Sequence, residues 1–131
     1  DYGDVRTGLA TCDPSGLIAE GLETVRKGGM KNTAVYVAAQ AKKLGCKKII
    51  VGLPKNMDGT EGVRAELCRE FADTLIEATG LPVTMWDERR TTVEAHNILS
   101  QHNYHGKKRK NTVDAVAASL ILEGYLAFKK R

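Results

Sequence analysis

The apolar positions of this chain change period along its length, and the changes mark its elements. Thr7 to Cys12 is short and rich in small residues, bounded by Gly3-Asp4 and by Asp13-Pro14-Ser15-Gly16, and reads as a strand running into a turn. Leu22 to Arg26 alternates weakly and reads as a second strand, ended by Gly28-Gly29; the short separation predicts an antiparallel hairpin. Asn32 is placed to cap a helix through Val35, Ala38, Ala39 and Leu44, with Gly45 supplying its left-handed end. Lys48 to Leu53 is a continuous apolar run stopped by Pro54, as in a parallel strand buried on both faces. A polar loop, Lys55 to Gly59, precedes a helix over 60–79 with Val63, Leu67, Phe71, Leu75 and Ile76 on one stripe. After Gly80, the run from Val83 ends in four charged residues, Asp87-Glu88-Arg89-Arg90. Thr91 and Glu94 form a capping box for a helix with Val93, Ile98 and Leu99 on its apolar face. A polar, basic loop from His102 to Lys110 leads to a last helix that starts at Asn111 or Thr112. It buries Val113, Val116, Ala117, Leu120 and Ile121 and ends near Phe128.

Strands alternating with helices in the second half predict a parallel core sheet with right-handed crossovers. The hairpin supplies an antiparallel flank. One further strand ending at Asp1 would complete a mixed five-stranded sheet, and 131 residues suffice for one domain spanning 1–131.

Composition narrows the classes. A chain that is 42% hydrophobic and 27% charged is ordinary for a globular protein, and no apolar run is long enough to cross a membrane. The three cysteines, Cys12, Cys46 and Cys68, lack metal-type spacing and are odd in number, which favours a reducing, cytoplasmic setting over a disulfide framework. His96, His102 and His105 make no convincing zinc set. A net charge of +4 permits nucleic-acid binding, and aromatics at 5% favour backbone or shape recognition over base stacking.

In an open α/β sheet, ligands sit where strands end and helices begin, which draws attention to Trp86-Asp87-Glu88-Arg89. Together with Asp1-Tyr2-Gly3-Asp4-Val5-Arg6-Thr7-Gly8-Leu9-Ala10, with Ile50-Val51-Gly52-Leu53-Pro54 and Asn56-Met57-Asp58-Gly59-Thr60, and with Val113-Asp114-Ala115-Val116-Ala117-Ala118, it resembles the YqgF/RuvX family of Holliday junction resolvase-like nucleases. The resemblance spans essentially the whole chain, with the motifs in family order. It implies an RNase H-like fold with three antiparallel strands followed by two parallel ones, flanked by helices. It also implies a bacterial cytoplasmic nuclease that processes the 5′ end of the 16S rRNA precursor, with resolution of branched DNA as the alternative. Carried over, the catalytic and metal-binding carboxylates are Asp1, Glu88 and Asp114. Thr7 stands where the family usually has an aliphatic residue.

The chemistry agrees with that assignment. Phosphodiester hydrolysis needs an activated water, neutralised charge and an assisted leaving group, and two divalent ions can supply all three. Mg²⁺ (or Mn²⁺) takes hard oxygen ligands, so a few carboxylates suffice. Candidates for substrate contact are Arg6, Asn56, Arg89, Arg90, Lys107, Lys108, Arg109 and Lys110. Structural readings stand beside these. Asp114, three residues after Asn111, equally suits a helix cap; Glu88 could pair with a neighbouring arginine; Asn56 and Asp58 suit an Asx-type turn; and 107–110 suits a solvated face. Trp86 reads as core, and Asp87 as a supporting residue. The expected partner is structured RNA, alone or within ribosomal precursor particles, or branched DNA, with the protein acting as a monomer or homodimer. Two rivals remain: a phosphotransferase of the actin and sugar-kinase superfamily, which short length opposes, and a non-catalytic nucleic-acid-binding or ribosome-assembly factor.

Overall fold

The computed structural model describes residues 1–16, 19–26, 28–90 and 106–129, with backbone alone over 106–113. The helix expected from Thr91, the three histidines, and Lys130 and Arg131 lie outside the described residues.

The hairpin forms, with its second strand earlier than the alternation suggests. Strand β1 (Ala10–Cys12) pairs antiparallel with β2 (Ala19–Gly21), Thr11 standing opposite Glu20. The register continues to Leu22, whose N–H donates to the Leu9 carbonyl at 2.8 Å. Thr7 then pairs with Val25 rather than with the next residue in step. One residue on the first arm therefore faces two on the second, a bulge that explains why Leu22 to Arg26 alternates so poorly.

Helix α1 (Met30–Leu44) is capped by Gly29, not by Asn32. Asn32 lies inside the first turn and donates its side-chain N–H to the Gly28 carbonyl at 2.8 Å. At the other end Gly45 is left-handed, and the N–H groups of Gly45 and Cys46 close on the Lys42 and Ala41 carbonyls. The buried face is Thr33, Ala34, Val37 and Ala41, while Val35 and Leu44 are exposed.

Strands β3 (Ile49–Leu53) and β4 (Val83–Asp87) pair in parallel, Gly52 opposite Trp86 and Leu53 opposite Asp87. Helix α2 (Val63–Thr79) crosses between them and begins after Gly62, later than the expected start at 60. Its buried face is Ala65, Cys68, Phe71, Ala72 and Leu75. Val63 and Ile76, on the apolar stripe of the sequence, are instead exposed, at 72% and 44%. Small residues let α2 lie close against its neighbours, and that contact outweighs the larger side chains in choosing the inward face. Ala34, Val37, Val51, Cys68, Phe71, Ala72 and Leu75 make the core. Helix α3 (Gly106–Lys129) starts well before Asn111, so the basic stretch 107–110 is helical backbone rather than loop. It covers the other side of β3 and packs on both hairpin strands.

The architecture is α/β, but the expected five-stranded sheet is not what the described residues form. There are two sheets of two strands, β1-β2 and β3-β4. The facing edges of β1 and β3 do not bond; a cavity of about 570 Å³ lies between them, bordered by Leu9 and Ala10 on one side and Ile49 and Ile50 on the other. The Asp1 backbone pairs with Gly8 alone, exchanging bonds of 2.9 and 3.0 Å, so it extends the hairpin without reaching β3. Among the described residues no helix is long and apolar enough to cross a membrane.

Candidate active site

The loop from Asp1 to Arg6 is fixed from three directions. The Tyr2 ring stacks on Phe71 with centroids 4.2 Å apart, anchoring the loop to the core. Arg64, in the first turn of α2, donates to the Tyr2 carbonyl at 2.8 Å and to the Asp4 carboxylate at 2.7 Å. Gly3 lies where a Cβ would come within 2.3 Å of the Arg6 carbonyl, so the turn closes only with glycine there. Thr7 is buried, and its hydroxyl accepts a long 3.5 Å bond from the Gly3 N–H, a use an aliphatic residue could not serve.

Asp114 enters from α3. It lies about two turns inside that helix, which removes the reading of it as a cap. Gly8 brings the helix backbone in: a Cβ at Gly8 would stand 2.2 Å from the Asp114 carbonyl oxygen. The Asp114 carboxylate Oδ2 is 2.5 Å from Arg6 Nε, with the two side chains 17% and 35% exposed. Among the described residues no donor reaches that buried oxygen with hydrogen-bond geometry, so the contact is an ion pair.

Glu88 opens a single 3-10 turn (Glu88–Arg90) directly after β4. Gly52 on β3 makes room for it, since a Cβ there would meet the Glu88 carboxyl at 3.1 Å and Ile121 at 2.8 Å. Burial raises the Glu88 pKa above the usual carboxylate value; Arg64 opposes that shift, and Asp87 adds to it. Among the described residues no hydrogen bond or ion pair holds the Glu88 carboxylate. Asp1 and Asp114 border one open cavity, and Glu88 opens the turn after β4. Their side chains do not yet form a cage: among the described residues no three His, Cys, Asp or Glu groups converge closely enough to hold one ion, and Asp114 is engaged with Arg6 instead.

The remaining candidates fall in varied surroundings. Arg89 grips Asp87 through Nε and Nη2, the latter at 2.7 Å, and this pairing holds the Asp87 carboxyl below the ordinary range. Arg90 lies over Trp86 and Phe128, its Cζ 5.2 and 5.0 Å from the ring centres, with Trp86 buried as core. Asn56 is bound within its own loop, donating to the Thr60 hydroxyl at 2.9 Å, while Asp58 accepts from Thr60 twice; this is the Asx-type turn. The side chains of Lys107, Lys108, Arg109 and Lys110 lie outside the described residues. Sequence reasoning passes over Arg64 and Gly52. Gly52 carries a signal, a lone glycine inside an apolar strand, which marks close approach of another group. Arg64 carries none, because its partners are sixty residues away in the chain.

The family described as "RuvX: Holliday junction resolvase" matches residues 1–128. The chain belongs to this family. A Halothermothrix orenii protein named "Putative pre-16S rRNA nuclease" is 43% identical over 131 residues, covering 100% of this chain and 94% of its own length. Proteins of the same name from Syntrophus aciditrophicus and Lachnospira eligens are 44% and 42% identical, covering 96% and 100% of this chain and 84% and 96% of theirs.

Proposed function

We propose that this RuvX-family chain is a metal-dependent nuclease that hydrolyses phosphodiester bonds in structured RNA, acting in the bacterial cytoplasm on the 5′ end of the 16S rRNA precursor. The observation that carries this reading is Glu88. A half-buried carboxylate with no hydrogen-bond or ion-pair partner among the described residues is costly unless a cation completes it. Hard oxygen donors partly shielded from water fit Mg²⁺ or Mn²⁺, and Asp1, Glu88 and Asp114 would hold it. Bound there, the metal would lower the pKa of an attacking water and neutralise charge building on the phosphate.

The chain's own groups supply the rest. Gly52 makes room on β3 for the Glu88 carboxyl and for Ile121 of α3, and Gly8 lets the α3 backbone come close at Asp114. Arg64 fixes the Asp1 loop and places positive charge near Glu88, favouring its ionised form. Arg6, half-exposed on the rim, and the basic stretch 107–110 suit contacts to phosphates. Names carried by the relatives favour an RNA substrate; the family description favours branched DNA as the second reading. A binding factor without catalysis remains a rival that the retained acidic trio opposes.

The test is cleavage of a pre-16S leader fragment and of a four-way DNA junction with Mg²⁺, using Glu88→Gln as the control. Cleavage of the RNA by the wild type and not by the variant is expected. Equal product from both would sink the assignment, and cleavage of the junction alone would replace RNA with branched DNA.

A further inference from the structure

We propose that Arg6 is a resident counter-ion of Asp114 that a divalent cation must displace, and that its release frees the same guanidinium to take a substrate phosphate. This rests on the nuclease reading above. The two groups are 2.5 Å apart, and they differ in freedom: Asp114 is the more buried, on a helix clamped at Gly8, whereas Arg6 is the more exposed, on a loop. The backbone of Arg6 is not free to follow. Its carbonyl packs on Gly3 and the next residue, Thr7, is paired with Val25, so any rearrangement belongs to the side chain. An open cavity of about 330 Å³, formed by the Asp1–Arg6 loop and Asp114, gives that side chain somewhere to go.

A divalent ion on Asp114 and a guanidinium on the same oxygen would repel one another strongly in a half-buried place. The present contact is an ion pair without hydrogen-bond geometry, so the larger charge of a divalent ion on the same oxygen can replace it. Arginine's planar fork matches phosphate as well as carboxylate, so one side chain can serve both states in turn. Loss of Arg6 should therefore change metal binding and substrate binding in opposite directions, which a merely structural arginine would not do.

The experiment is calorimetric titration of Mn²⁺ into the wild type, Arg6→Gln and Asp114→Asn, with steady-state cleavage at saturating metal and circular-dichroism melts as a folding check. Arg6→Gln is expected to bind Mn²⁺ about three- to tenfold more tightly while its KM for RNA rises, and Asp114→Asn to lose most of the binding. If Arg6→Gln fails to fold, Arg6→Met, which retains the apolar stem, carries the same expectation. Wild-type binding with no tightening in the folded arginine variant would overturn this proposal alone. No Mn²⁺ binding by the wild type would overturn the nuclease reading with it.

Discussion

The face of the β3-β4 sheet under α1 and α2 and the surroundings of Asp1, Glu88 and Asp114 are built by opposite means. On the first, Leu75, Cys68 and Phe71 are almost wholly removed from water and pack in one apolar cluster. At the second, position is set by charges and glycines: Arg64 on Asp4, Arg6 beside Asp114, and Gly8 and Gly52 at points of close approach. One region stores the free energy of folding. The other spends some of it, since Glu88 is held half-buried with no partner among the described residues. Removing a side chain should cost stability in the first region and chemistry in the second, and that contrast can be broken residue by residue.

The largest effect on stability should come from Leu75→Ala. Leu75 is 1% exposed, and its truncation should cost about 2–5 kcal/mol in denaturant unfolding. Activity per folded molecule should survive, measured well below the melting temperature. A variant that stays as stable as wild type would show that the core lies elsewhere.

Glu88→Gln should do the reverse. Cleavage should fall by more than about a hundredfold, since metal sites respond on a 10–100-fold scale even to loss of supporting groups. Stability at neutral pH should be equal or higher than that of the wild type. The folded-state pKa of Glu88 is raised, so the native protein binds its proton more readily than the unfolded chain does. Its charged form therefore weighs against folding above the raised pKa, and that penalty fades as pH falls toward the ordinary carboxylate range. The stability advantage of Glu88→Gln should accordingly be greatest near neutrality and shrink on acidification, as read from melts across pH. An advantage that grows toward low pH would contradict the assignment of burial as the main cause.

How much of this was legible in the chain follows the same division. The run 48–53, the glycines at 45 and 80 and the antiparallel hairpin are written in local sequence, because apolar runs and left-handed caps need no distant partner. The inward faces of the helices are less so: Ala65, Cys68 and Ala72 are small, and their burial depends on how closely another helix approaches, whereas Val63 draws attention yet faces water. The start of α3 is missed because 107–110 is charged, although such residues are good helix formers. Glu88 and Asp114 emerge from motif resemblance, not from periodicity. Arg64 could not be found at all, because its place depends on a loop sixty residues away.

Arg64→Gln should therefore have a middling effect. It should lower cleavage roughly tenfold by loosening the Asp1 loop, with a much smaller change in melting temperature because the side chain is 41% exposed. A variant with full activity would remove Arg64 from the site. The smallest effect belongs to Glu61→Ala. Its pair with Arg69 is bidentate, at 2.6 and 2.8 Å, but lies on the surface, so both stability and cleavage should stay at wild-type levels within error. A clear loss in either would show that charge pairs matter outside the site as well, and the contrast between the two regions would blur.

The central claim is that Asp1, Glu88 and Asp114 close on a divalent cation. Crystals of the protein grown with Mn²⁺ and measured at a wavelength where manganese scatters anomalously test it directly. An anomalous peak ligated by carboxylate oxygens of Glu88 and Asp114 is expected, with Arg6 turned away from Asp114. A peak elsewhere, or none while Arg6 still faces Asp114, would contradict it.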